Sequence, residues 1–136
     1  MKDVIFDDFQ NIVADSLVRH KSIIDVITKL QESEARLCRA IAKSVTSCGC
    51  LEINAKKQEI PQKLPDDMTI EKLQKYMDDH LNGKLCDNCR SVIEKELGNN
   101  LFYIVSLCNT LNINLYDVFL KEYNELRLLG KYDLRL

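Results

Sequence analysis

The chain has 136 residues, 46% of them hydrophobic and 29% charged, with a net charge of -2. That is the length of one domain, 1–136, able to bury about two-thirds of its unfolded surface without covalent staples. Lys and Arg are interspersed with Asp and Glu and build no basic stripe, which argues against nucleic-acid binding, and no apolar run approaches a membrane span.

With only four Gly and two Pro, and abundant Leu, Ile, Lys and Glu, the composition favours helix. The N-terminus turns acidic at Asp7 and Asp8, where a secretory leader would be apolar. A cytoplasmic location is therefore expected, and there clustered cysteines bind metal more often than they form disulfides. Residues 4–19 read as a helix, with Val4, Phe6, Phe9, Ile12, Val13 and Leu17 at helical spacing. His20 near its end suits a helix C-terminus.

Ser22 is placed to cap a second, long helix running to Gly49. Its seam is Ile23, Ile27, Leu30, Leu37, Ile41 and Val45. Glu34 falls on that seam, either at a bundle edge or with a task of its own. Residues 51–68 hold Pro61 and Pro65 and read as a loop, with short extended pieces around Leu51, Ile53 and Ile60. Thr69 caps a short helix presenting Ile70, Leu73, Tyr76 and Met77. His80 to Lys84 reads as a turn around Asn82-Gly83. Asp87 is expected to cap the next helix, which runs to Thr110 through Val92, Ile93, Leu97, Leu101, Ile104, Val105 and Cys108. Asn112-Ile113-Asn114 interrupts it. Asn114 then caps a last helix, with Leu115, Val118, Phe119, Tyr123 and Leu126 inward and Gly130 as its stop. The expected fold class is all-α: a helical bundle of four main helices plus a short helix.

Four of the six cysteines form two tight pairs, Cys48-Gly49-Cys50 and Cys86-Asp87-Asn88-Cys89. C-x-C and C-x-x-C are chelating spacings, and two such pairs complete a tetrahedron of thiolates. The expected cofactor is a structural Zn²⁺ on Cys48, Cys50, Cys86 and Cys89. An iron–sulfur cluster, a redox-active thiol set and plain buried thiols are the alternatives. Cys38 and Cys108 sit on helical stripes and read as core. His80 is either a spare ligand or a surface residue.

The segment from Glu94 to Leu115 resembles the MazG-type nucleoside triphosphate pyrophosphohydrolases, an all-α family. Its third helix carries E-L-(A or G)-D, matched here by Glu96-Leu97-Gly98-Asn99. Its L-G-I-D-L turn is matched by Leu111-Asn112-Ile113-Asn114-Leu115. Its second helix carries L-x-E-E-x-x-E-L, whose frame fits Leu30 to Leu37, with Ala40-Ile41 following. The resemblance implies a MazG-like core over roughly residues 23–129. It also implies a site in which an E-x-x-E pair and an E-x-x-D pair hold Mg²⁺ on substrate phosphates. Those four positions fall on Ser33, Arg36, Glu96 and Asn99, so only Glu96 is unchanged. An Arg36–Glu96 ion pair in place of the metal is expected. The whole chain is also similar to a clostridial group of MazG-like proteins, a likeness that supplies no activity.

Three functions follow as expectations. One is a catalytically degenerate binding or regulatory module held by zinc, forming a homodimer or tetramer and able to accept a nucleotide. Another is a nucleotide pyrophosphohydrolase working with Mg²⁺ through Glu32, Glu34, Glu96 and Asp117. The third is a thiol or metal sensor.

Overall fold

The computed structural model describes residues 4–63 and 65–129. Their class is all-α. Five helices appear in the order α1 (Val4–Ser16), α2 (Ile23–Lys43), α3 (Ile70–Gln74), α4 (Asp87–Thr110) and α5 (Leu115–Leu129). A two-stranded ribbon, β1 (Leu51–Ile53) and β2 (Leu81–Gly83), lies between α2 and α4 in the chain. Among the described residues no helix is long and apolar enough to cross a membrane. Gly130, the expected stop of α5, lies outside the described residues.

The frame is the antiparallel pair α2–α4. Ser33 on α2 accepts a hydrogen bond from Asn100 Nδ2 on α4 at 3.1 Å, and Cys48 meets Cys86 at the other end. The helices approach closely because small residues stand at their contact. Ser33, Ser44 and Ser106 are buried among Val26, Ile93 and Val105. Each serine hydroxyl donates to a carbonyl of its own helix: Leu30, Ile41 and Phe102. None is left without a partner in the core.

The face of α2 that turns inward centres on Val26 and Ser33 and continues to Ser44 just past the helix end; of the expected seam, Ile23, Leu30, Leu37 and Val45 are half-buried beside it. Ile27 and Ile41 are exposed, and so is Glu34. At about 100° per residue, burying Ser33 turns its successor to solvent, so Glu34 takes the edge position. α5 departs from expectation in the same way. Val118, Phe119, Tyr123 and Leu126 are each about half exposed, because α5 touches α1 and little else. Phe6 of α1 packs on Tyr116 and Phe119 with ring centroids 5.9 and 5.0 Å apart.

The turn between α4 and α5 is fastened to α1 by side-chain amides. Gln10 Nε2 donates to Asn109 Oδ1 and to the Ile113 carbonyl, both at 3.0 Å. The Leu115 N–H donates to Gln10 Oε1 at 2.8 Å, and Asn109 Nδ2 donates to the Gln10 carbonyl. Asn112 adopts a left-handed φ of 56°, a conformation asparagine tolerates. Asn114 Oδ1 accepts from the Asp117 N–H, the N-cap bond expected of it.

α1 ends at Ser16, three residues short of the expected range 4–19, which leaves His20 in the following turn, clear of the helix end. Ser22 occupies the N-cap of α2 but its side chain makes no cap bond. Thr69 does cap α3, accepting from the Lys72 N–H at 3.2 Å. The segment 80–84 is not a free turn. Residues 81–83 pair antiparallel with β1, with Leu51 opposite Gly83 and Ile53 opposite Leu81. Ile60 joins no strand.

Candidate metal centre

Two local devices bring the cysteine pairs together. At the end of α2, Ser44–Cys48 form one π-helical turn, and Gly49 follows in the left-handed region at φ 79°. The Gly49 N–H donates to the Ser44 carbonyl at 3.0 Å. Widening the last turn satisfies a terminal carbonyl and swings Cys48 off the helix surface. The chain then reverses, and Cys50 places its thiol 3.7 Å from the same Ser44 carbonyl.

The second device is the ribbon. Gly83 has φ 86°, and a Cβ built there would run into the Cys50 carbonyl oxygen. Only glycine lets β2 pass this close to the first cysteine pair. Three residues beyond it, Cys86 takes the N-cap of α4, where Asp87 was expected. The Cys86 sulfur accepts from the Cys89 N–H at 3.4 Å, and Asp87 is the first helical residue.

The result is one cluster. The sulfurs of Cys48, Cys50, Cys86 and Cys89 all lie within 4.8 Å of one another. Cys48 Sγ and Cys86 Sγ are 3.8 Å apart, too far for a disulfide, whose sulfurs sit about 2.05 Å apart. Four sulfurs at about 2.3 Å from a tetrahedral zinc ion lie about 3.8 Å from one another. The donor set can hold a metal ion, and its spacing fits a tetrahedral thiophilic one.

The protons tell the same story. The Cys89 backbone N–H, with the Cys89 thiol, lowers Cys86 to about 7. The Cys86 sulfur in turn pushes Cys89 up to about 12. Cys48 is also raised: the Cys50 N–H and Cys89 thiol work downward, but the Cys86 and Cys50 thiols and burial outweigh them. One thiolate forms readily at the helix N-terminus. Further ionisation within the same few ångströms requires a cation to absorb the charge.

The remaining candidates separate clearly. Cys38 is exposed, contrary to a core role, because the Ser33 face and not its own meets α4. Cys108 is part-buried on α4, and burial raises its thiol. His80 stands outside the sulfur cluster, in the left-handed region at φ 59°, with Nε2 buried and unpartnered. It is neither a ligand of this group nor an ordinary surface residue.

Ser33, Arg36, Glu96 and Asn99 line one cavity of about 290 Å³, together with Lys29, Glu32, Phe102 and Tyr103. Glu34 and Asp117 are not among its walls. Arg36 Nε lies 3.8 Å from Glu96 Oε2, and Arg36 Nη1 lies 3.6 Å from Glu32 Oε1. Glu32 also accepts from Lys29 Nζ at 3.2 Å, and that cation holds its carboxyl below the usual range. Glu96 is largely buried, and its Oε2 has no hydrogen-bond partner.

Sequence reasoning missed Arg39 and Lys43. With Arg36, Ser47 and Cys48 on α2, and Asn88, Cys89, Val92 and Glu96 on α4, they line a second cavity of about 380 Å³. Their signal was the step of three and four residues from Arg36 to Arg39 to Lys43, one helix face carrying three cations. No family model, no curated protein and no solved structure matches the chain.

Proposed function

We propose that this chain is a zinc-clamped, catalytically degenerate MazG-like binding or regulatory module. The observation that carries the reading is the pair of clusters on one helix frame: four sulfurs within 4.8 Å at its end and an arginine–carboxylate pair in its middle. The cysteines would hold Zn²⁺, which supplies the charge that four neighbouring thiolates need and ties the end of α2 to the start of α4. At the positions where the resemblance calls for carboxylates, Arg36 supplies a cation instead. A guanidinium there neutralises Glu96 and opposes Mg²⁺.

Metal content of protein purified under reducing conditions without chelator tests the clamp. About one zinc per chain, lost in Cys48→Ser and in Cys89→Ser, is expected. Iron, or no metal, would overturn it. Incubation with nucleoside triphosphates and Mg²⁺ or Mn²⁺ tests the second half, and no pyrophosphate release is expected. Turnover abolished by Glu96→Gln would make the chain a Mg²⁺-dependent pyrophosphohydrolase.

The partner we propose is a second copy, in a homodimer or tetramer. The chain exposes 11020 Å², whereas a compact monomer of 15.7 kDa exposes roughly 7,300 Å². The excess is larger than one protomer's share of most obligate interfaces, about 1,000–2,500 Å², and half-exposed Phe9, Ile12, Phe119 and Tyr123 supply apolar surface for such a contact. A monomeric mass in analytical ultracentrifugation would refute it.

A thiol-sensor reading draws on one observation, the exposure of Cys48 at 3.8 Å from Cys86. Reversible zinc release under mild peroxide would support it, and retention with no change of oligomeric state would count against it.

A further inference from the structure

We propose that the groove between Arg36, Arg39 and Lys43 on α2 and Asn88 and Glu96 on α4 is a metal-independent site for the phosphate group of a small molecule. The proposal rests on reading the chain as a binding module, and names what the module binds.

The groove is a cavity of about 380 Å³ that reaches the cysteine cluster at one end and the Arg36–Glu96 pair at the other. That is the size of small-molecule sites. Its α2 wall carries three cations within two helical turns, an arrangement that repels itself unless an anion sits against it. Among the described residues Arg39 and Lys43 form no salt bridge. Arg36 stands at 3.6 and 3.8 Å from its two carboxylates, so its donors are not consumed by hydrogen bonds of ordinary length. With Glu96 as the one carboxylate in the lining, the wall has a surplus of two positive charges before the sulfurs of Cys48 and Cys89 at its end are counted. A phosphate monoester carries about -1.5 to -2 at neutral pH. Arginine forks and a lysine ammonium are the side chains that grip phosphate oxygens.

Two further features point into the same space. Asn88, in the first turn of the 24-residue helix α4, lines the groove near the helix's positive end. Glu96 Oε2 is buried, lines the groove and has no hydrogen-bond partner. It would accept from a hydroxyl carried beside the phosphate, which favours a sugar phosphate over bare phosphate.

Attraction to the thiolates does not account for all of the cations. At 1.5 Å per residue, Lys43 stands about 7 Å from Cys48 along the chain and is within reach of its charge, but Arg39 stands about 13 Å away, beyond a Debye length. Nor is this the phosphate site of the MazG resemblance, in which carboxylates hold the phosphates through Mg²⁺. Of those positions Ser33 and Asn99 line only the adjoining cavity, Arg36 and Glu96 line both, and Arg39 and Lys43 belong to the groove alone.

The test is isothermal titration of the purified protein with inorganic phosphate and with ribose 5-phosphate, with and without Mg²⁺, zinc content being measured on the same samples. One saturable site per chain is expected, indifferent to Mg²⁺ and tighter for ribose 5-phosphate. Arg39→Gln and Lys43→Gln should each weaken it at least tenfold with helicity and zinc content unchanged, and Lys43→Arg should stay within about threefold of the parent. Absence of saturable binding, unchanged affinity in both glutamine variants, or dependence on Mg²⁺ would each overturn the proposal. If Arg39→Gln and Lys43→Gln lose zinc while the parent binds no phosphate, the cations serve the metal centre and the proposal fails. Phosphate binding by protein that carries no zinc would sustain the groove and sink the metal clamp, so the two readings fail separately.

Discussion

The two ends of the α2–α4 frame are held in different ways. At the Gln10 end, neutral amides fasten α1 to the α4–α5 turn, and every named donor has its acceptor within the chain. At the cysteine end, the backbone is arranged by a π-turn and a glycine-dependent ribbon, but the four side chains that meet there cannot satisfy one another. One end is complete as folded protein. The other is a donor set that can hold a metal ion, and on the proposed zinc clamp its order depends on metal supply and on oxidants.

Withdrawing zinc should break that contrast most visibly. Chelation is expected to cost on the order of 4 kcal/mol, the stabilisation given by a ligand at about a thousand times its dissociation constant. The loss should be read by thermal unfolding with and without chelator. Amide exchange should rise around residues 44–53 and 81–90 while the Gln10 end keeps its protection. Equal loosening at both ends would show that the ends are one cooperative unit.

Gln10→Ala attacks the opposite end. It removes three side-chain bonds and leaves the Leu115 N–H, the Asn109 Oδ1 and the Ile113 carbonyl without that partner. A loss of roughly 2–3 kcal/mol is expected. It should be the same with and without chelator, because the two ends share no partner. A Gln10→Ala cost that changes when zinc is removed would contradict independent ends.

Gly83→Ala sharpens the comparison. The added methyl meets the Cys50 carbonyl, in a backbone region that alanine disfavours. A cost of about 1–3 kcal/mol is expected, together with weaker zinc retention, measured by competition with a chromogenic chelator. Destabilisation with zinc affinity intact would mean that the ribbon does not set the cysteine geometry.

The smallest expected effect lies between the two ends. Lys29 holds the Glu32 carboxyl below its ordinary range. A depressed carboxylate adds stability above its unfolded value and loses that contribution as pH falls through the folded one. Glu32→Gln should therefore remove a small contribution at neutral pH, leave stability unchanged below the folded value, and so flatten the acid limb slightly. Carbon-detected titration of the Glu32 carboxyl checks the direction.

Much of this was legible residue by residue. The long helix ending near Gly49, the Thr69 and Asn114 caps, the break at Asn112 and the pairing of the two cysteine spacings all follow from local chemistry: a helical period, a side-chain acceptor, a residue tolerant of positive φ, a chelate bite. Such features act over a few neighbouring residues, and the sequence displays those directly. The Arg36–Glu96 pair was reached through a resemblance, not through spacing.

What the tertiary structure alone decided is of another kind. Which face of α2 turns inward depends on what α4 presents, and small serines there displaced the larger Ile27 and Ile41. That Cys86 and not Asp87 caps α4 follows from the ribbon delivering the chain to that point. Arg39 and Lys43 mattered only once α4 supplied the facing wall of a groove. By itself the sequence determined the helices, their breaks and the metal-binding residue types, because those depend on short-range geometry. The inward faces, the convergence of sulfurs from distant positions and the cationic groove needed the packing of two helices whose contacts lie dozens of residues apart.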